Sequence, residues 1–233
     1  MNDIVISGLQ KLTLLDFPGK VACTLFTKGC NMRCPFCHNA SLVTRAADQP
    51  VYNNDEILAF LKKRAGVLDG VCFTGGEPTL MRGLGDFMRQ VKELGYSVKL
   101  DTNGTNPKML RSLIDEKLVD YVAMDIKNSP EKYAETVGVE NFDMAPICES
   151  TEILMSGDVD FEFRTTVSYP FHTESDIRKI GEWLRGEEKF FLQQFKDSGD
   201  IIGSDIRALT KEEMEKFINI LKPFVPNAQL RGL

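Results

Sequence analysis

Hydrophobic and polar positions along the chain follow two alternating periods. Residues 21–27, Val-Ala-Cys-Thr-Leu-Phe-Thr, form a short, mostly apolar, β-rich run that predicts a strand buried on both faces, as in a parallel sheet. Asn53 or Asn54 then stands as a cap before apolar positions at Ile57, Leu58, Leu61 and Leu68, closed by Gly70, which predicts a helix. The unit repeats. Strands are predicted at 71–74, 98–100, 119–126, 161–167 and 190–195. Between them lie a helix with Leu84, Phe87, Met88, Val91 and Leu94 stopped at Gly95, one capped by Asn106-Pro107, and short helical segments from Ser129-Pro130 to near Gly157. Capping boxes are expected at Thr173/Asp176 and Thr210/Glu213, the second opening a last amphipathic helix.

Six strands alternating with helices predict an α/β fold whose parallel sheet is wound in one direction, two units short of a closed eight-fold barrel. A doubly wound flat sheet has the same pattern. Ile4 to Leu15 alternates weakly and ends in Asp16-Phe17-Pro18-Gly19, so residues 1–19 are expected to form a hairpin or cap before the main fold.

Length and composition narrow the setting. At 233 residues with 42% hydrophobic content, the chain fits a single domain over 1–233 with a sizeable core. The formal charge of −6, with Lys and Arg scattered, offers no basic stripe for nucleic acid. The first twenty residues lack the basic start and continuous apolar core of a signal peptide, and no later run approaches the ~18 apolar residues of a membrane span. A cytoplasmic location without membrane contact is therefore expected, and a tight cysteine group there points to metal more than to disulfides.

That group is Cys30, Cys34 and Cys37, a C-x3-C-x2-C array inside Gly29–Asn39. Three thiolates so close can hold one metal centre, one ligand short of the four in a closed iron-sulfur or zinc site. A zinc knuckle would need His38 or a distant Cys as fourth ligand, and His38 follows Cys37 too directly to swing freely onto the same ion. Cys23, Cys72 and Cys148 have no partner spacing and read as small buried residues.

The array, with Phe36 in the aromatic place of C-x3-C-x-aromatic-C, resembles the cluster motif of the radical S-adenosylmethionine (SAM) superfamily. The trailing Cys37-His38-Asn39 is similar to the glycyl-radical-enzyme activases within it, most closely the short anaerobic ribonucleoside-triphosphate reductase activating proteins. The resemblance implies an open partial (β/α)6 barrel and a [4Fe-4S] cluster on Cys30, Cys34 and Cys37. The open iron would take SAM, whose reductive cleavage gives a 5'-deoxyadenosyl radical, an oxidoreductase chemistry carried by the cofactors. It implies two partners: a glycyl-radical enzyme as protein substrate, and a small electron donor such as flavodoxin or ferredoxin.

The chemistry-bearing residues fall after the predicted strands, where parallel α/β folds bind ligands. Thr74-Gly75-Gly76-Glu77-Pro78 leaves backbone groups accessible and adds an acceptor, and it is similar to the motif that holds the SAM amino group. Alone it reads rather as an ordinary Gly-rich turn into a helix, and the upstream cluster motif reverses that preference. Asp101-Thr102-Asn103-Gly104 is a turn by composition; by resemblance it approaches the SAM ribose, with a monovalent cation near Asp101, Thr102 and Asp125. Asp125 and Lys127 share one strand face and resemble the activases' D-x-K, which implies Asp125 near the SAM amino end or the cation and Lys127 at the SAM carboxylate; a self-satisfied ion pair is the plainer reading. Arg164, set among apolar strand residues, needs an acid or a ligand such as SAM.

The last predicted strand departs from the pyruvate formate-lyase activating enzyme, which has a His there. This chain reads Leu192-Gln193-Gln194-Phe195, so Gln193 or Gln194 is expected to replace it, while His172 reads as a loop residue. A second resemblance is to 7-carboxy-7-deazaguanine synthase, another short radical SAM enzyme, which more often reads Cys-Asp-Thr where this chain has Cys37-His38-Asn39. From another class, a non-catalytic electron carrier or zinc module would require a fourth protein ligand.

Overall fold

The computed structural model describes residues 4–233, so residues 1–3 of the expected cap lie outside the described residues. The described residues carry eight strands in sheet order β1-β2-β3-β4-β5-β6-β7-β8, which is also chain order. β1 with β2 is antiparallel, whereas β2 with β3, β3 with β4, β6 with β7 and β7 with β8 are parallel, and among the described residues β1 and β8 stand at the two ends of the strand order. The α/β expectation holds, with two strands more than the six predicted. The chain divides into two compact units.

The first unit runs to Asn31 and adds Ser41–Ala123 and Pro146–Asp160. β1 (Ile6–Thr13) pairs antiparallel with β2 (Ala22–Thr27). β3 (Gly70–Gly75) and β4 (Ser97–Thr102) continue in parallel, from Ala22↔Gly70 to Thr27↔Gly75 and from Gly70↔Ser97 to Phe73↔Leu100. Leu25, Phe73 and Leu100 are fully buried, as runs covered on both faces require. α2 (Asn54–Lys63) is capped by Asn53, whose side chain accepts from Asp55 N–H; it stops before Leu68 because Gly66, at φ +78°, turns the chain. α3 (Leu84–Glu93) buries Leu84, Phe87, Met88 and Val91, with Phe87 edge-on to Phe73 at 6.1 Å. α4 (Pro107–Asp115) starts where Asn106 accepts from Met109 N–H. Most of β5 (Tyr121–Asp125) and of α6 (Ala145–Met155) completes this unit. A short helix, α1 (Ala40–Thr44), was not expected, because five residues give too little periodicity to register.

The second unit comprises Met32–Ala40, Met124–Ala145 and Phe161–Leu233. α5 (Tyr133–Val137) ends at Gly138 in the left-handed conformation. β6 (Asp160–Val167) pairs with β7 (Phe190–Gln194), and β7 with β8 (Gln229–Arg231), a strand too short to read from sequence. Both capping boxes form as expected, opening α7 (Glu174–Trp183) and α8 (Lys211–Leu221). One face of β6 is polar: Glu162 accepts from both terminal nitrogens of Arg231 at 2.8 and 3.1 Å, and Arg164 and Thr166 follow on the same side.

Among the described residues no helix is long and apolar enough to cross a membrane. Cys23 and Cys72 are fully buried as expected, and burial pushes the Cys23 thiol up to about 12; Cys148 is only half-buried.

Candidate active site

In the first unit, the segment after β2 is fastened to the turn after β3. Gly76 N–H donates to Thr27 O at 2.8 Å and Glu77 N–H to Gly29 O at 2.8 Å. Gly75 sits at φ +110°, and a Cβ there would lie 2.4 Å from Thr27 O; on Gly76 it would lie 2.0 Å from Gly29 O. The two glycines are thus required by backbone packed against backbone, where the sequence suggested access for a ligand. Glu77 is buried, and its carboxylate collects four donors. Oε1 takes Thr79 N–H at 3.1 Å, Thr79 Oγ at 2.5 Å and Thr102 Oγ at 2.7 Å, and Oε2 takes Asn103 N–H at 2.6 Å. Burial raises its pKa, and these bonds oppose the rise. Glu77 therefore ties the turn after β3 to the turn after β4.

Asn103 extends that tie. Its Oδ1 accepts from Thr105 N–H at 3.0 Å and Thr105 Oγ at 2.7 Å, and its Nδ2 donates to Asn31 Oδ1 at 3.0 Å and to Cys30 Sγ at 3.7 Å. Thr102 has its hydroxyl on Glu77 and accepts from Gly104 N–H at 3.1 Å. Asp101 is met by the ammonium of Lys99, a fully buried lysine that also lies 3.9 Å from Cys72 Sγ. Lys99 was not singled out from sequence. A lysine inside a buried strand with an aspartate two positions on, hence on the same face, was the available signal.

In the second unit, Asp125 stands between two cations. Lys127 Nζ donates to Oδ2 at 2.9 Å and Arg164 Nε to Oδ1 at 3.1 Å. Burial alone would raise the Asp125 pKa, but the charges of Lys127 and Arg164 outweigh it and hold the carboxyl at about 2. Burial disfavours the Lys127 ammonium, and Asp125 more than reverses this, so its pKa is raised. The ion pair that the sequence allowed for D-x-K is therefore formed, and Arg164 has found its acid.

The backbone beneath is fixed as well. Lys127 N–H donates to Tyr133 Oη at 3.2 Å, and His172 Nε2–H donates to Lys127 O at 2.9 Å while His172 Nδ1 accepts from Ser168 N–H at 3.2 Å. His172 lies in a loop as expected, but it is a buried strut, and burial lowers its pKa.

The second unit also holds Cys34 and Cys37. Cys37 N–H donates to Cys34 O at 3.0 Å, Arg33 N–H to Val137 O at 2.8 Å, and Gly203 N–H to Pro35 O at 2.8 Å. Phe36 is buried, with its ring 5.6 Å from Phe171 and 5.8 Å from His172, so it anchors the cysteine loop by packing. His38 lies 5.5 Å from the Phe195 ring, and burial, then the Lys127 charge, lower its pKa. Gln193 donates to Thr166 Oγ at 3.3 Å and Gln194 to Leu209 O at 2.6 Å, so both glutamines are engaged within the protein. The contact of residues 198–203 with the cysteine loop was missed, because long-range loop packing leaves no periodic trace.

The donor set suits an iron-sulfur cluster. Cys30, Cys34 and Cys37 fall within eight consecutive residues of irregular backbone and are not joined in disulfides. Burial raises the Cys37 thiol, while Asn39 N–H and the Lys127 charge favour its thiolate; Cys30 has an amide donor in Asn103.

The chain is similar in sequence to known proteins along most of its length. The sequence profile of the Radical SAM superfamily matches residues 24–184. A protein of Methanocaldococcus jannaschii provisionally named as a glycyl-radical enzyme activating enzyme is 30% identical, over 98% of this chain and 96% of its own. The 7-carboxy-7-deazaguanine synthase of Thermoplasma acidophilum is 27% identical over 69% of this chain and 78% of its own. Among solved structures, a domain of the pyruvate-formate lyase-activating enzyme of Bacteroides vulgatus superposes with a TM-score of 0.57 at 19% identity, over 70% of this chain and 99% of that one. That last likeness is one of fold.

Proposed function

Because this chain belongs to the radical SAM superfamily, we propose that it is an activase that installs a glycyl radical on a partner enzyme. The observation that carries this reading is the similarity to the methanogen activating enzyme along almost the full length of both chains. Cys30, Cys34 and Cys37 hold the cluster. When cluster and SAM are bound, one-electron cleavage of the sulfonium supplies a carbon radical that takes a Cα hydrogen from a glycine of the partner.

The protein's own contribution is orientation. In the first unit the backbone of Gly75, Gly76 and Thr102, braced by Glu77, serves the SAM amino and ribose ends. In the second unit Lys127 and Arg164, held by Asp125, serve the SAM carboxylate. An alkali-metal cation at Asp101 would compete with Lys99, and at Asp125 with Lys127 and Arg164. The finer reading is that the partner is an anaerobic ribonucleoside-triphosphate reductase and that the electron comes from a flavodoxin or ferredoxin.

Electron paramagnetic resonance of the reduced, SAM-supplied protein mixed with that reductase tests the proposal. A glycyl doublet is expected, and it should vanish with Cys34→Ala. SAM cleavage that survives Cys34→Ala overturns the ligand assignment. Conversion of the pterin substrate of 7-carboxy-7-deazaguanine synthase, with no doublet, transfers the chain to the second family it resembles.

A further inference from the structure

We infer that Asn103 sets the reduction potential of the cluster through a hydrogen bond to the sulfur of Cys30, and that its side chain does not bind SAM; this rests on the reading that Cys30 is a cluster ligand. A carboxamide has two donor hydrogens and one oxygen with two lone pairs. In Asn103 all four are in use. The oxygen takes Thr105 N–H and Thr105 Oγ, and the nitrogen gives one hydrogen to Asn31 Oδ1 at 3.0 Å and the other to Cys30 Sγ at 3.7 Å.

The orientation of the amide is fixed by chemistry. Thr105 N–H is a backbone donor, so the group facing it is the oxygen and the group facing the sulfur is NH2. A three-membered ring of side chains holds it there: Asn103 donates to Asn31, Asn31 Nδ2 to Thr105 Oγ at 2.9 Å, and Thr105 Oγ to Asn103. Behind the ring, Asn103 N–H is bound to buried Glu77 at 2.6 Å. Glu77, Asn103 and Cys30 thus form one line from a buried carboxylate to a ligand sulfur.

A donor on a ligand sulfur stabilises the more negative, reduced cluster and raises its potential. Asn103 is therefore a positioning and tuning residue that acts on the cluster through Cys30.

The test is a redox titration followed by electron paramagnetic resonance on the iron- and sulfide-reconstituted full chain. Asn103→Ala and Thr105→Val are compared with wild type, and circular dichroism confirms their folding. Removing the donor in Asn103→Ala should shift the equilibrium about tenfold toward the oxidised cluster, a fall of about 59 mV for a one-electron couple. Thr105→Val, which frees the amide without deleting it, should give a smaller fall in the same direction. SAM affinity, read by equilibrium dialysis, should change less than twofold. Unchanged potentials in both variants, or a large loss of SAM affinity at constant potential in Asn103→Ala, overturn the inference while leaving the activase reading intact. A wild-type chain that assembles no SAM-responsive cluster overturns both.

Discussion

At the scale of single residues, charge is managed by local pairing along a strand. Lys99 and Asp101 on β4 lie two apart and meet on one face, and Asp125 and Lys127 at the end of β5 repeat the device in reverse order. Arg164 makes the second a triad. The consequence for acid stability has a definite sign. The folded-state pKa of Asp125, about 2, lies below that of an unfolded aspartate, so its contribution is present above about pH 4 and is lost as pH falls toward 2. The shift corresponds to about 2 kcal/mol. Denaturant unfolding of wild type and Asp125→Asn between pH 5 and 2 should show the stability gap narrowing by that amount; a constant gap would remove Asp125 from the account. Both pairs were within reach of the sequence, yet only D-x-K was noticed, because it carried a family resemblance and Lys99 did not.

At the scale of elements, the strand-end turns are built by close backbone packing. The turn after β3 lies on the segment leading to Cys30 with no room for a side chain at Gly76, whereas Gly85, on α3, would place a Cβ at an ordinary 3.7 Å from Leu113 and Leu118. Two alanine substitutions should therefore act in opposite directions. Gly85→Ala should stabilise by about 0.5–1 kcal/mol by restricting the unfolded chain and favouring helix. Gly76→Ala should destabilise by more than 2 kcal/mol, since the obstructing atom is a backbone oxygen that cannot turn aside. Urea midpoints of the two variants check this, and a Gly76→Ala protein as stable as wild type would refute the packing argument. Element positions were largely legible, because buried strands and one-sided helices write their periods into the chain and the caps at Asn53, Asn106, Thr173 and Thr210 mark the starts. Short α1 and β8 left no such record.

At the scale of the whole molecule, folding and cofactor assembly separate. The core consists of fully buried Leu25, Phe73, Leu100, Phe163, Leu192 and their neighbours, and each such side chain contributes about 1.5–3 kcal/mol independently of any metal. Chelating iron should therefore leave far-UV circular dichroism and a cooperative thermal transition intact; unfolding on chelation would mean that the cysteine loop carries folding energy, as a zinc knuckle does. The sequence by itself determined the strand and helix alternation, the parallel class and the cysteine array, because these are local in the chain: period, cap and spacing are properties of neighbouring residues. Only the tertiary structure decided what each polar side chain does. Glu77 reaches Asn103 across 26 positions and Arg164 reaches Asp125 across 39, distances at which sequence carries no geometric information. Which donors a buried carboxylate collects depends on which strand ends folding brings beside it.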